Sequence, residues 1–180
     1  MSLNDTPDNQ SLPAAFQTII NNSDEDKIGR SISAALAKNS INREIIDRIL
    51  AENGVTLNDV KPLLLDLILS YVNIIVADHH LTREETDSVL YLKRLFKIRE
   101  GDFYTLRYFV IKDIIQKELA VIYRNDDQID TDESLYKVDL QDLFDLSYVQ
   151  FLEFKEPEIR SALERGSDIT DLDTVRYPKI

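Results

Sequence analysis

A helical sequence pattern occurs twice in this chain of 180 residues, and the second copy lies 48 residues after the first. The first copy reads IIVADHHLTREETDSVLYLKRLFKI at positions 74–98, and the second reads IYRNDDQIDTDESLYKVDLQDLFDL at positions 122–146. Extended to Phe103 and Phe151, the ungapped alignment has 30 positions and seven identities, where chance pairing gives roughly two. Such a repeat favours a fold made of duplicated helical hairpins.

Both copies have the same order of residue types. An apolar helix ends near an Asp, an aliphatic residue follows three positions later, and two acids then open an amphipathic helix that closes with Leu-Phe. The chain has only four Gly and five Pro, and 43% of its residues are hydrophobic, which favours long helices around a core. The sequence therefore predicts an all-α fold, a single bundle of about seven to eight helices with an internally duplicated hairpin core.

The predicted domain covers residues 13–166, with duplicated units at about 59–103 and 107–151. A flexible tail is predicted for residues 1–12 and an irregular tail for residues 167–180. The most apolar helix, which ends near Val76, is expected at the centre of the bundle.

Later helices are predicted from the spacing of their apolar residues. A long helix over about 102–123 is expected to bury one stripe, made of Phe103, Leu106, Val110, Ile114, Ile115 and Val121. An aromatic stripe on the same helix is expected in the core, with a ligand or partner groove as the alternative: Phe103, Tyr104, Tyr108 and Phe109. A short helix is predicted over 147–154, and a separate last helix between Pro157 and Gly166.

The repeated pattern D-x-x-[LI]-x-x-[DE]-E resembles the TerB-like family, named for tellurite-resistance proteins, over about residues 59–154. The resemblance implies an all-helical fold, a role in the bacterial stress response, and acids at the hairpin ends that bind a divalent metal. His79 and Asp127 stand where the family pattern commonly has Gly.

The acids of the repeat can be interpreted in two ways. If the two copies pack as pseudo-symmetric hairpins, four carboxylates supply oxygen ligands suited to Ca²⁺ or Mg²⁺: Asp78, Glu85, Asp126 and Glu133. Secondary candidates surround them: His79, His80, Glu84, Asp127, Asp130 and Asp132. Alternatively the acids start helices, because Thr82-x-x-Glu85 and Asp130-x-x-Glu133 have the spacing of a capping box.

The two histidines are adjacent, so they make a poor chelating pair and are expected to be solvated or capping groups. A pH-sensitive contact between one of them and a carboxylate is the alternative.

Composition excludes several classes of function. A net charge of −12 without a basic cluster opposes nucleic-acid binding and favours a protein partner with a basic surface. The chain has no Cys, and its longest apolar stretch contains polar residues, so a cytoplasmic protein without a membrane span or secretory signal is expected. Phosphate-binding loops and nucleophile motifs are absent from the sequence.

These observations favour a non-catalytic interaction or regulatory module that binds a divalent cation through the acids at the hairpin ends. A small metal-assisted enzyme that uses the same acidic cluster is one alternative. An acidic decoy that occupies a nucleic-acid-binding partner is another, and it requires negative charge along one face.

Overall fold

The computed structural model describes residues 11–22, 26–125 and 131–166, and it contains eight α-helices and no strand within those ranges. The all-α prediction is confirmed. The helices are α1 Leu12–Asn22, α2 Lys27–Ala37, α3 Arg43–Glu52, α4 Lys61–Ile75, α5 Arg83–Phe96, α6 Asp102–Asn125, α7 Thr131–Leu143 and α8 Tyr148–Glu164. In the part of the chain described, none of these helices is long and apolar enough to cross a membrane.

Helix ends follow local side-chain chemistry. The side chain of Asp26 accepts a hydrogen bond from the Gly29 amide at 2.7 Å, and that of Asn42 accepts from the Ile45 amide at 3.0 Å. These caps satisfy amide donors that the first turn of each helix leaves without an intrahelical partner.

The chain divides into two compact units. The first contains the described residues up to Asp78 together with Thr82–Ile98, and the second contains His79–Leu81 and the residues from Arg99 onward. The single domain predicted over residues 13–166 stays a prediction, because the structure divides these residues between two compact units. Residues 1–10 of the flexible tail predicted over 1–12 lie outside the described residues, as does the tail predicted over 167–180. The tail prediction is wrong for Leu12, which begins α1.

In the first unit, α4 is the central helix, as its composition predicts. It packs against α1, α2 and α5, and eight of its residues are buried: Leu64, Leu65, Leu67, Ile68, Leu69, Tyr71, Val72 and Ile75. No helix is predicted from the sequence for residues 13–22, yet α1 is formed there. Phe16 on α1 is fully buried and stacks on Tyr71 with ring centroids 6.1 Å apart, so the contact with α4 explains why this short segment is helical.

In the second unit, α6 packs against α7 and α8. Its predicted inward stripe is right for Phe103, Ile114 and Ile115, which are buried, and wrong for Leu106 and Val110, which are 40% and 41% exposed.

A kink is the physical reason for the exposure of Val110, which follows it, whereas the exposure of Leu106, which precedes it, has no such explanation. Arg107 has the non-helical angles φ −137° and ψ 28°, and such a residue shifts the phase of the helix face that follows it. The prediction that the aromatic stripe lies in the core is wrong for Phe109, which is 81% exposed. Phe103 remains in the core, where its ring meets Phe144 edge-on at 5.6 Å.

The two helices predicted around Pro157 form one continuous helix, α8, with Pro157 inside it. A proline in a helix interior removes one hydrogen bond and costs about 3 kcal/mol. Phe154 before it and Ile159 after it are both fully buried in the unit where α8 packs on α6. Burial of such side chains contributes about 1.5–3 kcal/mol each, which offsets the cost of the proline.

The two sequence copies have matching helix ends. The helices α5 and α7 occupy equivalent places in the two copies. After each helix one residue adopts left-handed backbone angles: Lys97 with φ 53° and Asp145 with φ 51°. Gly54 after α3 has φ 67°, the left-handed conformation typical of a glycine that ends a helix.

Hydrogen bonds at these ends repeat as well. The amide of Ile98 donates to the Lys93 carbonyl at 2.9 Å, and the amide of Leu146 donates to the Gln141 carbonyl at 3.1 Å. Three further equivalent pairs are buried in both copies: Leu92 with Leu140, Phe96 with Phe144, and Phe103 with Phe151. The duplication stays a prediction, and these local correspondences support it.

Candidate functional site

The stretch ADHHLTREE connects α4 to α5, and its second half is a helix cap. The Thr82 hydroxyl accepts a hydrogen bond from the Glu85 amide at 3.3 Å. One carboxylate oxygen of Glu85 accepts from the Thr82 amide at 2.9 Å and from the Thr82 hydroxyl at 2.8 Å. The predicted capping box is therefore confirmed here. A second capping box, between Ser147 and Gln150, starts α8. The box predicted from Asp130 to Glu133 begins outside the described residues.

His79 occupies an unusual backbone conformation for a residue with a side chain. Its φ is 60°, in the left-handed region that favours glycine. Left-handed residues other than glycine cost about 1–2 kcal/mol, and they occur more often at functional sites than elsewhere.

The side chain of His79 contacts a buried carboxylate in the second unit. The Nδ1 atom of His79 lies 2.7 Å from Oε2 of Glu118 on α6, and the Tyr136 hydroxyl on α7 donates to the same oxygen at 2.8 Å. Glu118 is only 6% exposed, and a buried carboxylate is tolerated when it accepts hydrogen bonds of this kind. The histidine–carboxylate contact expected as an alternative from the sequence is thus present.

This pairing determines which ring nitrogen of His79 is available. A histidine that donates from Nδ1 to a carboxylate carries its lone pair on Nε2 when the ring is neutral. The same pairing orients metal-binding histidines, because the carboxylate holds the ring and raises its basicity. A protonated His79 instead forms an ion pair with Glu118.

A cavity of about 440 Å³ lies beside this pairing, within the second unit. His79, Leu81, Ile122 and Tyr136 belong to its wall, and it is completed by a set of polar side chains: His80, Asp132, Glu133 and Asp139. Burial raises the pKa of the Asp139 carboxyl, the nearby charge of Asp142 raises it further, and His80 lowers it. Burial and the charge of Asp142 therefore both disfavour the ionised form of Asp139.

The structure brings four of the predicted site residues to this cavity: His79, His80, Asp132 and Glu133. Glu84 and Glu85 line a different cavity in the first unit, and Asp78 is exposed near the end of α4. Asp126, Asp127 and Asp130 lie outside the described residues.

Within the ranges described, no three His, Asp or Glu side chains converge in the geometry of a metal site. The four-acid metal site proposed from the repeat stays a prediction.

Three residues of the cavity region are not identified from the sequence: Glu118, Tyr136 and Asp139. For Glu118 a signal exists, because it lies at helical spacing with buried residues on both sides, namely Ile111, Ile115 and Ile122. A charged residue in phase with a buried stripe is expected to have a specific partner. Tyr136 is in phase with Leu140 and Leu143 on α7. Nothing local singles out Asp139.

The chain was compared with known families, proteins and structures. No family model matches it, and no curated protein or solved structure is significantly similar to it. The TerB-like resemblance stays a hypothesis based on the repeated motif.

Proposed function

We propose that this protein is a non-catalytic interaction module that binds a cation in the cavity beside His79. One observation carries the proposal. One oxygen of the buried Glu118 carboxylate contacts both His79 and Tyr136. These two residues line a cavity whose wall also contains three acids: Asp132, Glu133 and Asp139. Side chains held in this way keep one geometry for a ligand.

The charge of the cavity favours a cation. None of the described residues that line it is Lys or Arg, whereas three are acids. A bound cation would also stabilise the ionised form of Asp139, whose pKa burial raises. Among cations we propose a divalent ion, Ca²⁺ or Mg²⁺. Mg²⁺ in particular keeps several of its waters and is held through one or two carboxylates, so three converging protein ligands are not required.

The absence of Cys fits a reducing cytoplasm, and the TerB-like resemblance suggests the biological setting, a regulatory role in the stress response. The bound cation would then link the hairpin end to a protein partner. The net charge of −12 favours a partner with a basic surface.

A small metal-assisted enzyme is the second candidate, and one observation favours it. The pairing of Glu118 with Nδ1 of His79 is the arrangement that orients a histidine for proton transfer.

The two histidines provide a direct test, because the chain contains no others. In a uniformly ¹⁵N-labelled protein, two-bond correlation spectra resolve the imidazole nitrogens of His79 and His80 and report their tautomers. Titration of chelator-treated protein with Ca²⁺, Mg²⁺ and Mn²⁺ is expected to shift or broaden these signals in a saturable way, with matching heats in calorimetry.

Paired variants decide whether the cavity is the site. Asp132→Asn with Glu133→Gln is expected to abolish the saturable response. The matched control, Asp113→Asn with Glu156→Gln, removes two charges from exposed ion pairs on α6 and α8 of the same unit and is expected to leave binding unchanged. Equal loss in both double variants would indicate general charge attraction, and no response in the wild type would refute cation binding.

A further inference from the structure

One face of α6, in the second unit, exposes large apolar side chains beside the kink of that helix. Phe109 is 81% exposed, and Leu106 and Val110 are exposed as well. We refer to these three residues as the α6 face. Apolar side chains that are exposed together on a protein surface are typical of a contact site for another molecule.

Phe109 is held in its exposed position by the side chains around it. The hydroxyls of Tyr104 and Tyr108 both donate to the Glu153 carboxylate on α8, at 2.7 and 2.5 Å. The Tyr108 ring packs on Phe154 with centroids 5.3 Å apart, and it meets the Phe109 ring edge-on at 5.2 Å. An aromatic side chain that is already ordered loses little freedom on binding, and aromatic residues are enriched at interfaces.

The charge of this part of α6 differs from that of the whole chain. The chain has a net charge of −12, whereas residues 102–117 contain three basic and two acidic side chains. The basic residues are Arg107, Lys112 and Lys117, and the acids are Asp102 and Asp113. Because an acidic protein repels its own copies, two copies meet most favourably where the local charge is not negative.

The order of the charges along α6 suits a second copy of the same helix. When two copies pack antiparallel about a two-fold axis, residues equally far in sequence from the axis lie opposite each other, and every contact occurs twice. For an axis between Phe109 and Val110, these two residues face each other across the copies. Asp102 of one copy is then opposite Lys117 of the other, since both are equally far from that axis. Apolar residues occupy the centre and opposite charges the rim, as in known interfaces.

We propose that this protein forms a symmetric dimer in which α6 packs antiparallel against α6 of a second copy through Leu106, Phe109 and Val110. Interfaces of standard size use about 20–30 residues per partner. The α6 face is smaller, so the dimer is weak and reversible, with a Kd on the order of 10–100 μM. The dimer is separate from the His79 cavity and does not depend on the cation binding proposed for it.

Sedimentation velocity of the full chain, between about 1 and 300 μM, tests the association. The wild type is expected to change from monomer to dimer across this range. A monomer at every concentration would overturn the proposal and leave the α6 face to a different partner. Species that grow beyond a dimer would overturn the closed two-fold arrangement.

Phe109→Asp tests the centre of the interface. The variant places a charge beside the two-fold axis and is expected to weaken dimerisation at least tenfold, as loss of a central aromatic residue does. Val138→Asp is the matched control, since Val138 is 53% exposed on α7 of the same unit and is not part of the α6 face. Circular dichroism checks that both variants keep the helix content of the wild type. Equal weakening in both, or an unchanged dimer in Phe109→Asp, would refute the assignment.

Single cysteines test the antiparallel pairing, because the chain has no Cys of its own. Val110 lies beside the axis, so the Val110→Cys variant is expected to form a disulfide-linked dimer under mild oxidation. Lys117 is about 22 Å along the helix from its own copy in this pairing, which is too far for a disulfide. Lys117→Cys is therefore expected to remain unlinked under the same conditions. Equal cross-linking at both positions, or at Lys117→Cys alone, would overturn the two-fold pairing of α6.

Discussion

His79 and Glu118 are 39 residues apart in the chain, and the Nδ1 atom of the histidine lies 2.7 Å from a carboxylate oxygen of the glutamate. The histidine adopts a left-handed backbone conformation in this contact, while the glutamate is buried. The pair therefore joins a strained loop residue to a buried charge, and its strength can be measured.

A double-mutant cycle measures this pair. His79→Asn removes the imidazole but tolerates the left-handed backbone, and Glu118→Gln removes the charge but keeps an acceptor for Tyr136. We expect a coupling free energy of about 1–2 kcal/mol from urea unfolding of the four proteins, because hydrogen bonds to charged groups are stronger than neutral ones. Additive effects, within about 0.5 kcal/mol, would contradict the contact.

The pH dependence of stability is expected to report Glu153. Its carboxylate accepts hydrogen bonds from the Tyr108 hydroxyl at 2.5 Å and from the Tyr104 hydroxyl at 2.7 Å, and these bonds lower the pKa of Glu153. A carboxyl whose pKa is lower in the folded state stabilises the fold above its unfolded value of about 4.3, and this contribution is lost as the pH falls through the folded value. Urea unfolding between neutral and acid pH should therefore show Glu153→Gln less stable than wild type at neutral pH and equal to it at low pH.

At alkaline pH the stability contributed by the same cluster changes in the opposite direction, because it is lost as the pH rises. The hydrogen bond to Glu153 raises the pKa of Tyr108 to about 12, above the usual value of about 10. Its contribution is complete below the unfolded value and is lost as the pH rises through the folded one. In Tyr108→Phe, the near-ultraviolet absorbance titration should lose one late tyrosinate step. Loss of an early step instead would contradict the shift.

Substitutions in the capping box separate the two interpretations of the acids. Thr82→Ala is expected to lower the free energy of unfolding by about 1 kcal/mol, because it removes the acceptor for the Glu85 amide. Glu85→Gln keeps an oxygen for the Thr82 amide and should cost much less. Because the proposed cation site is the His79 cavity, the combined Asp78→Asn and Glu85→Gln variant is expected to keep its Ca²⁺ binding. Loss of binding with little loss of stability would instead indicate that Glu85 binds metal with Asp78. Binding that persists in that variant would leave Glu85 as a cap alone.

Glycine substitutions test the left-handed residues that end the two repeat helices. Lys97→Gly should stabilise the protein by about 0.5–1 kcal/mol, since it relieves left-handed strain of about 1–2 kcal/mol at the entropic cost of a glycine. Asp145→Gly should change stability less, because Asp tolerates this conformation better. Lys38→Gly is the control: Lys38 also caps a helix but has φ −88°, and the substitution should destabilise the protein. Thermal unfolding of the three variants gives the order, and stabilisation by Lys38→Gly would contradict this explanation.

Most helix ends could be predicted because their causes are local. A capping box such as Thr82 with Glu85 needs residues only three positions apart, and a left-handed end such as Gly54 needs one residue with no side chain. The face of α6 could not be predicted in full, because the kink at Arg107 changes which residues turn inward. The continuity of α8 through Pro157 likewise depends on what its neighbours bury.

The candidate site was predicted in part for the same reason. Four residues of the site could be identified from the sequence because polar residues are common where helices begin and end: His79, His80, Asp132 and Glu133. Their meeting with Tyr136 and Asp139 around one cavity depends on how the chain segments pack in the second unit, and no local pattern encodes that.

The sequence by itself determined the all-helical class and the capping boxes at Thr82 and Ser147, since helix periodicity and backbone hydrogen bonding act over a few residues. Only the tertiary structure decided that Glu118 would hold both His79 and Tyr136. The partner of a buried polar group is set by which distant side chains packing brings within hydrogen-bond distance, and that outcome depends on the whole fold.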